Sequence, residues 1–99
     1  MSTALSDVTP VTVLNNSSGS SLVYGISHLD IVELTLTAGT GTVSVRTALA
    51  ESDTFVEDDN LSDAAPHLAF EARSNCIQFV VSAGGPVTVK AQGRRVQKN

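Results

Sequence analysis

Two stretches of this chain follow one plan, and that plan restricts the fold more than any other feature. Asp30–Arg46 and Ile77–Lys90 each begin as an alternating apolar strand, pass through small residues and glycine, and end in Val-x-Val followed by a base. Thr37-Ala38-Gly39 corresponds to Ser82-Ala83-Gly84, and Val43-Ser44-Val45-Arg46 to Val87-Thr88-Val89-Lys90. Within the first stretch, period-two alternation puts Val32, Leu34 and Leu36 on one face and Ile31, Glu33, Thr35 and Thr37 on the other. Val43 and Val45 continue the apolar face, while Thr42, Ser44 and Arg46 point outward. A one-residue slip would move the valines into water, so the register is firmly specified. Glycines between two strand patterns read as turns, so hairpins are expected at 31–46 and 77–91.

The rest of the chain reads as further short strands. Residues 1–7 are small and polar and form a flexible N-terminal arm with nothing to bury. Val8 to Leu14 alternates as a first strand, and Pro10, which has no donor for a ladder, marks an edge or a strand start. Residues 15–21 collect Asn, Ser and Gly and form a loop. Leu22 to Ile26 is a short strand carrying Tyr24. Beyond Thr47 the pattern admits a helical turn at 48–52 or a bent strand, and a bend into a strand at Thr54 to Val56 fits better. Glu57 to Pro66 is the main exposed loop. Leu68, Phe70 and Ala72 alternate as another strand, and Val80 makes the strand of Ile77, Phe79 and Val81 apolar on both faces, as in a central strand. About seven or eight short strands in one all-β domain, 8–93, indicate an antiparallel β-sandwich of jelly-roll type, with a small barrel as the alternative. Residues 94–99 form a basic C-terminal tail.

Composition narrows the function. At 99 residues the chain forms one domain. It has no Trp, one Tyr and three Phe, few aromatic faces for stacking sugars or single-stranded bases. A net charge of −4 opposes phosphate, so nucleic acid is not expected as the main partner. The single cysteine, Cys76, leaves no intrachain disulfide. No basic, apolar leader opens the chain and no segment approaches the ~20 apolar residues of a membrane span, so a cytoplasmic origin is expected and a membrane is not.

Each candidate for chemistry has a plainer reading. Glu51, Asp53, Glu57, Asp58, Asp59 and Asp63 supply oxygens suited to calcium, but they lack the Asp-x-Asp-x-Asp-Gly spacing and read as a solvated loop or an acidic docking surface. His28 and His67 lie in no recognisable acid–base or nucleophile motif and read as surface or loop residues, and Cys76 reads as a small buried hydrophobe. Gly39, Gly41, Gly84 and Gly85 precede no helix and are turn residues rather than a phosphate loop. Arg94, Arg95 and Lys98 form a solvated end or an anchor on an acidic neighbour or on nucleic acid. No catalytic, cofactor-binding or metal residue is assigned, and an enzyme is not expected.

Ile31 to Gly93 resembles a recurring type of small structural protein in tailed-bacteriophage virions. The resemblance rests on an apolar strand, Gly41-Thr42-Val43-Ser44-Val45, a polar stretch reaching an aromatic in Ser52-Asp53-Thr54-Phe55, and a closing segment ending at Gln92-Gly93. It implies a β-sandwich made in the host cytoplasm and carried in the virion as capsid decoration, cement, neck or tail component. It also implies homo-oligomers, a trimer above all, and a major capsid or tail protein as partner. A second expectation, from another class, is a module that binds a host receptor or glycan.

Overall fold

The computed structural model describes residues 3–95. Seven strands form one sheet: β1 (Thr3–Ala4), β2 (Val11–Ser17), β3 (Tyr24–Gly25), β4 (Ile31–Ala48), β5 (Val56–Ser62), β6 (His67–Glu71) and β7 (Cys76–Arg94). The all-β, antiparallel class expected from the sequence is the one the chain forms. The short β1–β3 contact is parallel and every other strand pair is antiparallel.

The two expected hairpins are not hairpins. Residues 31–48 are a single strand of 18 residues and 76–94 a single strand of 19. They pair with each other from Ile31 opposite Arg94 to Ala48 opposite Cys76. Where turns were expected, both strands bend instead, with register shifts between Leu36 and Ala38, Gly39 and Gly41, and Thr42 and Val43. Bulges of this kind bend a strand without reversing it. Gly39 has φ +90° and Gly84 has φ +69°, the left-handed region open to glycine. The two glycine stretches also face one another, and a Cβ on Gly84 would lie 2.9 Å from the Gly41 Cα. Glycine at positive φ serves a hairpin turn and a glycine bulge alike, so local composition does not say whether the chain reverses or runs on.

The bend folds the sheet over. Eighteen extended residues would reach nearly 60 Å at about 3.3 Å each, whereas the longest axis of the molecule is 41 Å. One arm holds β2, the C-terminal half of β7, the N-terminal half of β4, and β6. The other holds β1, β3, the N-terminal half of β7, the C-terminal half of β4, and β5. Val32, Leu34, Leu36, Phe70, Val87 and Val89 from the first arm share one buried cluster with Tyr24, Val43, Val45, Leu61, Ile77 and Phe79 from the second. A shortest axis of 19 Å fits two layers packed about 10 Å apart with their outer side chains.

Opposite the crease, three segments cross between the arms and close the core: 5–10, 26–30 and 72–75. Ile26 and Leu29 are buried there. The Ile26 N–H donates to the Asn75 carbonyl at 2.8 Å and the Ala72 N–H to that of Asp30 at 2.9 Å. Gly93 has no side chain because Leu29 occupies that space.

Several boundaries differ from the sequence reading. The arm at 1–7 is built into the fold from Thr3 onward, and Met1 and Ser2 lie outside the described residues. Leu5 is 1% exposed, its N–H donates to the Gly25 carbonyl at 2.9 Å, and Ser6 accepts from the Gly93 N–H at 2.7 Å. A single leucine between Ala4 and Ser6 carries no periodicity, so its burial could not be read. The strand expected from Val8 begins at Val11 and runs into the expected loop as far as Ser17, bulging near Asn16, whose φ is +49°. Pro10 does precede an edge strand. The expected loop 57–66 is mostly β5, an edge strand paired with 42–47. Of the expected tail, Arg94 ends β7, and residues 96–99 lie outside the described residues.

Candidate functional site: the outward faces and the rim

Alternation along the paired strands fixes what each arm shows to solvent. On the first arm, His67 lies opposite Thr35, Thr35 opposite Lys90, and Lys90 opposite Thr12, forming one row across four strands. The next row is Ala69, Glu33 and Gln92. The short Thr35 and Ala69 side chains leave space between longer neighbours. A hollow of about 290 Å³ is lined by Pro10, Glu33, Thr35, Thr37, Lys90 and Gln92, and another of about 300 Å³ by Glu33, Thr35, His67 and Leu68. Both share Glu33 and Thr35, so together they form a shallow trough across the arm, with polar groups set among the apolar parts of the side chains. Glu33 accepts from Arg94 Nε at 2.6 Å, and Thr35 Oγ1 lies 3.3 Å from His67 Nδ1.

The second arm is different. Ser44, expected in solvent, is 0% exposed. Its hydroxyl donates to Glu57 Oε1 at 2.7 Å and accepts from Arg46 Nε at 3.0 Å. Arg46 lies opposite Glu57 in the β4–β5 register, so the two long side chains lie over the serine and complete its bonding.

The acidic residues 51–63 are dispersed by the strand that carries them. Asp63 Oδ1 accepts from the Gly41 N–H at 2.9 Å and ties β5 to the crease. Asp58 pairs with Arg73 at 3.3 Å, and Asp59 Oδ1 accepts from the Asn60 N–H at 2.8 Å. Among the described residues no three His, Cys, Asp or Glu side chains converge as metal ligands do. His28 is tied to the Leu5 carbonyl at 2.8 Å through Nε2 and His67 lies beside Thr35, so the structure does not bring the histidines to Cys76. Cys76 is buried at the start of β7. Burial, reinforced by the negative charges of Glu51 and Asp53, pushes its thiol pKa up and keeps it in the unreactive protonated form.

The rim carries residues that sequence reasoning left unassigned. Val8 is 78% exposed, Leu49 70% and Val56 66%, and Leu22 is similarly bare. Leu49 follows β4 directly and Val56 opens β5 opposite Thr47, so both stand at one end of the β4–β5 hairpin. Their exposure depends on where the core ends, which no periodicity reveals. Among the described residues no helix is long and apolar enough to cross a membrane. Compared with protein-family models, curated proteins and solved structures, the chain matches none.

Proposed function

We propose that this chain is a non-enzymatic structural protein of a virion, a capsid decoration protein that self-associates, as a trimer, and binds a major capsid or tail protein. The observation that supports this reading is the β4–β7 spine. Two long strands run through both arms and pair on either side of the crease, and side chains of both arms share one core, so the arms are held together as one body. A stiff block with exposed apolar residues on its rim suits a part that fits between other proteins. The resemblance of Ile31–Gly93 to small virion proteins points the same way. Co-sedimentation with purified capsids tests the proposal: binding that saturates at a fixed ratio to capsid subunits is expected, and a protein that stays in the supernatant at high micromolar concentration overturns it.

One observation favours a second reading, a module that binds a host receptor or glycan. The trough on the first arm presents Glu33, Thr35, Lys90, Gln92 and His67 side by side, a mixture of donors and acceptors suited to a polyhydroxylated ligand. Glycan binding that Thr35→Arg abolishes, with no capsid binding, would favour it over the first.

A further inference from the structure

Among the described residues β1, β2, β5 and β6 each pair on one side only and leave an open edge. All but β6 carry a feature that blunts the edge against pairing with another chain. β1 has only two residues, β2 is bulged twice, and β5 holds Glu57, Asp58 and Asp59 with a bulge of its own. β6, His67–Glu71, pairs with β4 without a register shift, contains no proline, and has its ionisable side chains, His67 and Glu71, at its two ends. The main-chain bonding shows which of its groups face outward. The Leu36 N–H donates to the Pro66 carbonyl at 2.8 Å and the Ala72 N–H to that of Asp30 at 2.9 Å. By alternation Leu68 and Phe70 bond β4, whereas His67, Ala69 and Glu71 turn their N–H and carbonyl groups away from it. All three of the latter are exposed.

We infer that the open edge of β6 pairs with the same edge of a second copy, antiparallel about a two-fold axis at Ala69. The strand is self-complementary in that register: His67 meets Glu71 of the other copy, Ala69 meets Ala69, and Leu68 meets Phe70. The outward-facing residues then fall in hydrogen-bonded pairs, which supply about six main-chain bonds. Charge complementarity selects a second copy as the occupant. Among the described residues Glu71 has no side-chain partner. His67 Nδ1 lies 3.3 Å from Thr35 Oγ1, which leaves Nε2 to meet the Glu71 carboxylate. On the core side, half-buried Leu68 and buried Phe70 form the non-hydrogen-bonded pairs across the axis, in which side chains come closest. The core is thereby continued from one copy into the next. This joint goes beyond the trimer proposed above and does not use it, because a two-fold contact closes as a dimer or links two trimers into a hexamer. One short strand from each copy makes a small interface, so the joint forms at high concentration.

Light scattering after size exclusion, on the full chain at high micromolar concentration, compares the wild type with Ala69→Pro. Proline deletes an N–H that points away from β4, so the ladder within the chain is kept and the particle mass is expected to halve. A mass that Ala69→Pro leaves unchanged overturns the joint. A trimeric wild type overturns it while leaving the self-association proposed above standing, and a monomeric one overturns both; capsid co-sedimentation reports separately on decoration. A second test does not depend on the proline variant folding. Opposed residues of a hydrogen-bonded pair lie about 5.5 Å apart at Cα, within disulfide reach, and the natural Cys76 is buried. Under mild oxidation Ala69→Cys is expected to give a covalent dimer faster than Val56→Cys, which is exposed on the edge strand β5. His67→Cys and Glu71→Cys chains, mixed, are expected to link to each other in preference to themselves. Ala69→Cys that links no faster than Val56→Cys, or mixed chains that link only like to like, overturns the register and with it the joint.

Discussion

The two copies of the Val-x-Val-base motif begin alike and end differently. Val43, Val45, Val87 and Val89 are all buried and all join the same core, so the alternating valines do one job in both arms. The residues between and after them diverge. Ser44 is sealed under Glu57 and Arg46, whereas Thr88 is only half-buried and accepts from the Asn16 N–H at 3.0 Å. Arg46 faces Glu57, while Lys90 faces Thr12 and Thr35 and is exposed. The cause is the neighbouring strand. β5 brings a carboxylate to the first motif, and β2 brings a threonine to the second. A motif fixes which residues point inward; its partner strand decides what the outward ones become.

The motif's glycines give the sharpest place to break the resemblance between the copies. Gly39 and Gly84 occupy equivalent positions, both at positive φ and both against the backbone of the other strand. Alanine at either position adds left-handed strain of about 1 to 3 kcal/mol to a main-chain overlap that no side-chain rotation relieves. Both variants are expected to lose most of the stability of so small a domain. Urea unfolding, or loss of soluble protein, reads this. A variant at either site with a wild-type midpoint would mean that the crease is not where the two strands meet.

Next in size come the inward valines. Val45→Ala and Val89→Ala are each expected to lower stability by about 1 to 3 kcal/mol, and by similar amounts, because both reach the same core. A large difference between them would show that one arm carries the core and the other merely covers it.

The alternation that names these valines was legible because burial of one sheet face imposes a period of two. The faces of Val32, Leu34, Leu36, Ile77 and Phe79 and the strand of Leu68 and Phe70 all followed from it, and the central place of β7 followed from Val80, which breaks it. Reversal of the chain did not, since Gly39-Thr40-Gly41 offers the same backbone freedom to a bulge and to a turn. Acidic residues 57–59 read as a loop because charge correlates with exposure, yet the edge of a sheet is also exposed and favours charge against unwanted pairing. The trough and the rim were not legible at all. They depend on which strands become neighbours, and those contacts join residues far apart in the chain, as Thr35 with Lys90 or Thr12 with Lys90.

A smaller effect separates the two outward residues themselves. Ser44→Ala removes a hydroxyl that bonds two charged side chains, and a loss of about 1.5 to 3 kcal/mol is expected. Thr88→Ala removes one bond to an exposed N–H and is expected to stay within about 0.5 kcal/mol. Chemical denaturation of both variants in the same buffer measures the contrast. Equal losses would mean that the Glu57–Ser44–Arg46 arrangement adds nothing to the second arm.

The smallest expected effect is none, and it tests the account given of the acidic strand beside the first motif. If Glu57, Asp58, Asp59 and Asp63 were present to hold calcium, millimolar calcium would raise the melting temperature, since a ligand that binds only the native state stabilises it by mass action. Each carboxylate instead has a partner within the chain: Ser44 for Glu57, Arg73 for Asp58, the Asn60 N–H for Asp59 and the Gly41 N–H for Asp63. These partners are four different residues, Ser44, Arg73, Asn60 and Gly41, so gathering six or more oxygens around one ion would mean breaking several of those contacts at once. Differential scanning calorimetry with and without calcium is expected to give superimposable transitions. A rise of several degrees that chelator reverses would show that the strand rearranges around an ion, and that its acids do more than seal Ser44 and fasten the crease.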